Sequence, residues 1–248
     1  MRTLRVHISP VGFEVDRIVL PAIDLKADRI WLLIHNNRYE DKGSKFKTKI
    51  KSQLEELKIE CLEEYADRKD LFDTLRALRS IIVKEKGNNI MVNVSTGSKI
   101  QSIAAMMACM MFKDMGNIKP YYAEPKKYRS ISDKQDEQET EGLKAIIPLP
   151  DYKIEIPSKN LIKSLELINK EKVGTLTKKR LRDLALGENL IHVDQSKENK
   201  ETSAYMALDT HILGPLQKWN FVTIEKSGKR KIVTLSEDGE NALKFLNS

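Results

Sequence analysis

The residues best suited to chemistry lie in the stretch "STGSK", Ser95 to Lys99. It stands between an apolar run that ends at Val92 and a long Ala/Met-rich run. Hydroxyls can donate to phosphate oxygens, and the lysine ammonium adds a positive point charge. Glycine allows the backbone to turn and a ligand to approach closely. This combination suits a bound anion, most of all a phosphate.

A second stretch of the same kind is "SPVG", Ser9 to Gly12, which also separates a predicted strand from a predicted helix. Ligands of open parallel sheets bind beyond the carboxyl ends of the strands, where helix N-termini present free amides. Both turns are therefore predicted to line one crevice, with residues 36–38 as one wall. The predicted ligand-binding residues are Ser9, Pro10, Val11, Gly12, Asn36, Ser95, Thr96, Gly97, Ser98, Lys99 and Gln101.

Known phosphate motifs do not account for the Ser95–Lys99 turn. The nucleoside-triphosphate loop needs an earlier glycine that is missing, and the G-x-G-x-x-G dinucleotide fingerprint is also absent. The competing interpretation is that Ser95 or Thr96 only caps the next helix, with Gly97 in the turn. Local sequence alone favours the cap, whereas the second hydroxyl- and glycine-bearing turn favours the crevice.

The elements that must position these residues alternate through the first 150 residues. Apolar runs predict strands over 3–9, 29–34, 58–63, 89–94 and 119–123, and helical periodicity predicts helices over 13–25, 45–57, 70–86 and 99–115. This order predicts a Rossmann-like α/β domain with a parallel sheet. The stretch "AAMMACMMF" predicts a mostly buried helix with one face free for a second subunit.

The composition changes after the fifth predicted strand. Residues 124–142 carry few large apolar side chains and are predicted to form a mobile surface loop, before an edge strand over 143–150. The remaining chain predicts helices over 160–171, 175–186 and 202–219, a hairpin built from 221–225 and 231–235, and a final helix capped by Ser236. That order predicts a winged helix-turn-helix. The predicted domains are 1–150 and 157–248.

Basic residues of the second domain fall where nucleic acid would be contacted. A winged helix places its third helix at base edges and its hairpin along the backbone. The predicted DNA-binding residues are Lys178, Lys179, Arg180, Thr202, Ser203, Tyr205, Lys226, Lys229, Arg230 and Lys231, with Met206 beside them. Asp209 and Pro215 count against a recognition helix, and a winged helix can instead serve as a protein-interaction module.

Bulk composition is consistent with these domains. The chain has 248 residues and a net charge of +7, which favours a polyanionic partner. No apolar run is long enough to span a bilayer, and no signal peptide is visible, so a cytoplasmic protein is expected. The two cysteines and four histidines lack metal-ligand spacing, so no metal cofactor is expected.

The turn "STGSK", the opening "VHISPVGFEVDRIVLPA" and the C-terminal winged helix together resemble the CARF (CRISPR-associated Rossmann fold) family. More narrowly, the chain resembles archaeal CARF–winged-helix transcriptional regulators. The resemblance implies a homodimer whose sensory domains form a pocket for a cyclic oligoadenylate. It places ligand-facing turns on residues 9–12 and 95–99, with Gln101 close by. Ser98 departs from the family pattern, which often has a second glycine there.

Three functions remain open at this point. The first is a ligand-responsive transcription regulator that binds double-stranded DNA. The second is a ring nuclease that cleaves a cyclic oligoadenylate, with Ser9 positioning the attacking ribose hydroxyl and Lys99 stabilising charge. The third is a constitutive DNA-binding protein with a vestigial crevice. His192 and His211 lack the arginine spacing of the family's ribonuclease effectors, so an effector nuclease is disfavoured.

Overall fold

The structure of the chain is a computed structural model that describes residues 2–129, 137–171, 175–193 and 199–246. The chain divides into two compact units, Met1–Glu155 and Ile156–Ser248. Within the residues that are described, no helix combines the length and apolar character needed to cross a membrane.

The first unit alternates strands and helices. Its strands are Arg5–Pro10 (β1), Arg29–His35 (β2), Glu60–Ala66 (β3), Asn89–Asn93 (β4), Asn117–Glu124 (β5), Lys127–Tyr128 (β6), Thr140–Glu141 (β7) and Ala145–Pro148 (β8). Its helices are Asp16–Asp24 (α1), Ser44–Glu56 (α2), Leu71–Lys84 (α3) and Lys99–Met111 (α4). The central sheet has the order β3-β2-β1-β4-β5-β8. Strands β1 to β5 pair in parallel, and β8 pairs antiparallel with β5 at the edge. The predicted Rossmann-like sheet is confirmed.

Strand β2 shows how both faces of the sheet become covered. Ile30 and Leu32 point into a buried cluster that includes residues of α1 and α2. The intervening Trp31 points the other way and donates from Nε1 to Glu85, which follows α3, at 2.7 Å. Successive side chains of a strand alternate between faces, so a nearly continuous apolar run indicates a strand that is buried on both.

The methionine-rich helix α4 is buried mainly through its small residues. Its buried residues are Gln101, Ala104, Ala105, Ala108 and Cys109. The methionines of "AAMMACMMF" are only partly buried. The alanines and Cys109 therefore form the fully buried face of the helix.

Part of the predicted loop over 124–142 is ordered. Strands β6 and β7 form an antiparallel hairpin, and the backbone N–H of Arg129 donates to the carbonyl of Glu139 at 3.0 Å. Residues 130–136 of that prediction lie outside the described residues. Polar residues form this hairpin through hydrogen bonds, so the lack of large apolar side chains did not reveal it.

The second unit has the element order of a winged helix. Its helices are Lys159–Lys170 (α5), Lys178–Gly187 (α6), Lys200–Leu208 (α7), Gly214–Lys218 (α8) and Glu237–Leu246 (α9), and its strands are Val222–Ser227 (β9) and Arg230–Leu235 (β10). Leu165, Leu181, Leu208 and Leu216 are fully buried in the core of this unit. As predicted, the Ser236 hydroxyl caps α9 by accepting from the Gly239 N–H at 3.1 Å.

Two predicted helices of this unit have different bounds. Helix α6 begins at Lys178, because Thr177 is the N-cap and the Leu176 carbonyl accepts from the Val233 N–H at 2.9 Å. Thr177 also forms an isolated antiparallel bridge with Ile232 of β10, so this segment adds to the two-stranded sheet. Between α7 and α8, residues Asp209–Leu213 form a π-helical turn. Pro215 has no N–H to donate, and the wider π-helical turn directly before it changes the hydrogen-bond pattern at that point.

Candidate functional sites

The two predicted turns meet at the carboxyl end of the sheet. Their strands, β1 and β4, are direct neighbours. The Thr96 hydroxyl donates to the Pro10 carbonyl at 2.8 Å. A Cβ atom added to Gly12 would lie 3.0 Å from the Gly97 nitrogen. The juxtaposition expected from the strand order is therefore observed as direct backbone contact.

Gly97 is required by the backbone and by packing. Its φ is +81°, in the left-handed region. A Cβ atom there would lie 2.5 Å from Pro10 Cβ and 2.7 Å from Gln101 Oε1. The sequence predicts that Gly97 admits a ligand. In the structure, that space is filled by the protein's own side chains.

The three hydroxyls of "STGSK" form hydrogen bonds within the protein. Ser95 Oγ donates to Asn93 Oδ1 and accepts from the Ala123 N–H at 3.1 Å. Ser98 Oγ accepts from the Gln101 N–H at 3.1 Å and donates to the Arg68 carbonyl at 2.9 Å. Ser98 is thus the N-cap of α4, not Ser95 or Thr96. These hydroxyls hold the turn together and are therefore not available to a ligand.

The N-terminus of α4 has backbone amides that make no hydrogen bond to a described residue. They are the amides of Gly97, Lys99 and Ile100. The Lys99 side chain is exposed and has no ion pair within the described part of the chain. Gln101 is fully buried, and its Nε2 finds no acceptor among those residues. Free amides and the positive end of the helix dipole favour an anion here.

The first turn lies beneath the surface. Ser9 is fully buried, Val11 belongs to the apolar core, and Pro10 and Gly12 are buried as well. The prediction that these side chains face a ligand therefore finds no exposed group, because β1 is a central strand that is covered on both faces. They instead support the Ser95–Lys99 turn from below.

Ser9 lies in a neutral polar pocket of the core. Its hydroxyl neighbours that of Tyr121 but forms no hydrogen bond of normal geometry. Burial raises the pKa of Tyr121, and burial together with the charge of Arg5 lowers the pKa of His7 to about 4. Both groups are consequently neutral at physiological pH, so this pocket offers no charge to a ligand.

The N-terminus of α1 is closed by the β6–β7 hairpin. Gln138 Oε1 accepts from the N–H groups of Val15 at 2.9 Å and Asp16 at 3.0 Å. The Thr140 hydroxyl donates to Glu14 Oε2 at 2.5 Å, and burial raises the pKa of Glu14. Of the helix N-termini at the two predicted turns, that of α4 is the accessible one.

The predicted wall, residues 36–38, is a loop whose middle residue is half-buried. Asn36 is exposed, and its N–H donates to the Ala66 carbonyl at 3.2 Å, while Arg38 is also exposed. Sequence reasoning missed Arg68, whose Nη2 lies 2.5 Å from Asp41 Oδ1 and whose carbonyl accepts from Ser98. Its position directly after β3, at the carboxyl edge of a parallel sheet, is the signal that could have identified it.

In the second unit, a cleft of about 630 Å³ gathers six of the predicted DNA-binding residues. It is lined by Thr177, Lys178, Lys179, Tyr205, Lys229, Arg230 and Lys231. Lys226 lines an adjoining cleft with Lys178 and Lys231. Arg180, Thr202 and Ser203 line neither cleft. Arg180 instead lies 3.7 Å from Glu171, and Thr202 and Ser203 lie at the start of α7.

The charges around this cleft are unevenly compensated. The side chains of Lys179, Lys229, Arg230 and Lys231 are exposed and have no ion pair within the described ranges. Lys178 Nζ, by contrast, lies 2.6 Å from Asp209 Oδ1, so its charge is largely neutralised. The cleft therefore presents net positive charge, mostly from the β9–β10 hairpin. Such a surface suits a polyanion.

Tyr205 lies close to two cations. Lys178 Nζ lies 5.7 Å and the Arg182 guanidinium 4.5 Å from the ring centroid. Arg182 also bonds Asp183 and Glu201. This arrangement orients α7 against α6, and sequence reasoning missed the role of Arg182. Within the described residues, no group of histidine, cysteine and acidic side chains could hold a metal ion.

Two family models match the chain. One, described as "HFX_2341_N:-like, N-terminal", matches residues 5–128. The other, described as "DUF6293 C-terminal winged helix domain", matches residues 160–247. The second unit is therefore a winged helix domain.

The individual proteins that resemble this chain share 27% sequence identity or less with it in the three comparisons given next. The uncharacterized protein MJ1513 of Methanocaldococcus jannaschii is 27% identical over 236 residues, which cover 80% of this chain and 70% of that protein. Among solved structures, Can2 of Sulfobacillus thermosulfidooxidans in complex with cyclic tetra-adenylate is 18% identical with a TM-score of 0.41. Protein VC1899 of Vibrio cholerae is 15% identical with a TM-score of 0.42. The alignments cover 96% of this chain but only 63% and 64% of those two chains.

Proposed function

We propose that this chain, which belongs to the "HFX_2341_N:-like, N-terminal" family, is a cytoplasmic transcription regulator that binds double-stranded DNA. The observation that carries the proposal is the cationic cleft of the winged helix domain, where Lys179 and the hairpin residues Lys229, Arg230 and Lys231 face solvent together. Cations without an ion-pair partner favour contacts to DNA phosphates. A helix beside them can enter the major groove, as the recognition helix of a winged helix does.

Salt dependence of DNA binding tests this proposal. The full chain is titrated with a fluorescent duplex of random sequence between about 50 and 200 mM salt, and affinity should fall steeply. Replacing Lys229, Arg230 and Lys231 by alanine should weaken DNA binding. The slope of log affinity against log salt concentration should also become less steep, by about 0.9 for each phosphate contact that is lost. Fluorescence anisotropy measures both quantities.

A matched triple variant separates local contacts from net charge. Lys163, Lys170 and Lys244 belong to the same domain but do not line the cleft, so their replacement by alanine should leave the slope nearly unchanged. Affinity that is flat with salt would contradict DNA binding. Equal losses in the two triple variants would show that only overall charge matters.

The sensory part of the proposal concerns the first unit. The amides at the start of α4, together with Lys99, favour a phosphate-bearing ligand. As the CARF resemblance implies, we propose a cyclic oligoadenylate bound by a homodimer. The exposed Ile100 and Ile103 of α4 supply an apolar face for the second copy. Cleavage is not proposed, because the ring-nuclease alternative needs Ser9 at the substrate and Ser9 is fully buried.

A further inference from the structure

Met206 is an unusual surface residue. Its side chain is 65% exposed, and it is the one large apolar side chain that is strongly exposed among the described residues of the unit Ile156–Ser248. It lies on α7 four residues after Thr202, which is exposed as well, so the two share one face of the helix. Single apolar residues are common on protein surfaces, but this one lies on the helix whose Tyr205 lines the cationic cleft, so a partner drawn to the cleft can contact it.

The acidic residues near Met206 are already compensated. Glu201 lies 2.7 Å from Arg182, and Asp209 lies 2.6 Å from Lys178. These ion pairs reduce the repulsion that α7 would otherwise exert on phosphates. They leave Met206 and Thr202 as a nearly neutral, partly apolar surface.

The adjoining residue connects this surface to the cleft. Tyr205 lines the cleft with the hairpin cations and is fixed by Lys178 and Arg182. A duplex drawn to those cations would therefore bring its grooves to α7. The apolar group that the major groove exposes is the C5-methyl of thymine. A thioether side chain is flexible and polarizable, and it adapts well to such a contact.

We propose that Met206, supported by the Thr202 methyl group, recognises thymine methyl groups in the major groove and so determines part of the DNA specificity. This inference rests on the proposed DNA binding. In this proposal, α7 contacts the bases through apolar groups, and the cations of the cleft bind the phosphates.

Removal of the methyl group from thymine tests the inference. A short duplex is first enriched from a randomised library with the full-length protein, and each thymine is then replaced in turn by deoxyuridine. We expect one or two replacements to weaken wild-type binding about fourfold, as the loss of one buried methyl group implies. For Met206→Ala, the thymine duplex should already bind about fourfold more weakly, and deoxyuridine at those positions should cause no further loss.

Two further variants serve as controls. Met206→Leu keeps an apolar side chain and should retain most of the discrimination. Val83→Ala removes a side chain of comparable exposure, 51%, from the first unit and should leave every affinity unchanged.

The outcomes separate this inference from the proposed function. The role of Met206 alone is overturned if DNA binding depends on salt but no deoxyuridine replacement changes the affinity. It is also overturned if a replacement lowers the affinity equally for wild type and Met206→Ala. Failure to retain any duplex at low salt overturns both DNA binding and this inference.

Discussion

At the residue scale, the central feature is the contact between the turns at Gly12 and Gly97. Each glycine makes room for the other turn, and the Thr96 hydroxyl ties them together through the Pro10 carbonyl. The turn at the start of α4 is thereby held in one conformation before any ligand arrives. A preorganised set of amides loses less conformational freedom when it binds an anion.

Gly97→Ala should disrupt this contact. A Cβ atom would collide with Pro10 at 2.5 Å, and a φ of +81° is unfavourable for alanine. We expect a loss of about 2 kcal/mol in the free energy of unfolding, measured by urea titration.

Gly116→Ala is the matched control for that substitution. Gly116 has an extended φ of 170°, and an added Cβ atom there meets nothing within 4 Å. The unfolding free energy of the Gly116→Ala variant should stay close to that of the wild type. Similar losses at both positions would refute the packing argument at Gly97.

At the element scale, the helices after β1 and β4 have different N-termini. Helix α1 has its N-terminal amides satisfied by Gln138, which is more than a hundred residues away in the sequence. Helix α4 has the local cap Ser98 and keeps other amides available. The same strand–turn–helix motif thus produces one closed and one open helix end.

Gln138→Ala should expose the N-terminus of α1. Loss of a side-chain cap costs about 1 kcal/mol, and the amides of Val15 and Asp16 should exchange hydrogen faster, as measured by NMR or mass spectrometry. Gln217→Ala removes an exposed glutamine in the second unit and should leave those amides protected. Unchanged exchange at Val15 and Asp16 in the Gln138 variant would contradict the capping role.

At the scale of the whole molecule, the proposed function requires that ligand binding at the first unit affects DNA binding at the second. Coupling between the two sites must be reciprocal: if a ligand changes DNA affinity by some factor, DNA changes ligand affinity by the same factor. Such coupling requires different ligand affinities in two states of the protein.

Cyclic tetra-adenylate should therefore change DNA affinity by about fivefold or more, and DNA should change the affinity for that ligand by the same factor. Lys99→Met should weaken ligand binding about tenfold in calorimetry, because it removes a charged partner of a phosphate. Lys86→Met is the control, since Lys86 is exposed and lies between α3 and the start of β4, at the end of the strands opposite to Lys99. DNA affinity that stays constant at saturating ligand would favour the constitutive alternative.

The sequence by itself determined the architecture of the chain. Apolar runs and helical periodicity are local patterns of the sequence, and they indicate the type of each element and the face that it will bury. The parallel sheet, its edge strand and the winged helix could therefore be predicted, with helix ends shifted by a few residues. The position of Ser95–Lys99 beside Ser9–Gly12 also followed, because strand order places the two turns at one edge.

Only the tertiary structure decided which polar groups remain available. The hydroxyls of Ser95, Thr96 and Ser98 form hydrogen bonds with the backbone of Ala123, Pro10 and Arg68, and Lys178 is neutralised by Asp209. Gln138 closes α1 from a distant segment. Hydrogen bonds and ion pairs depend on distances of a few ångströms between residues that are far apart in the chain. A sequence pattern reports which side chains are polar, but it does not specify their partners.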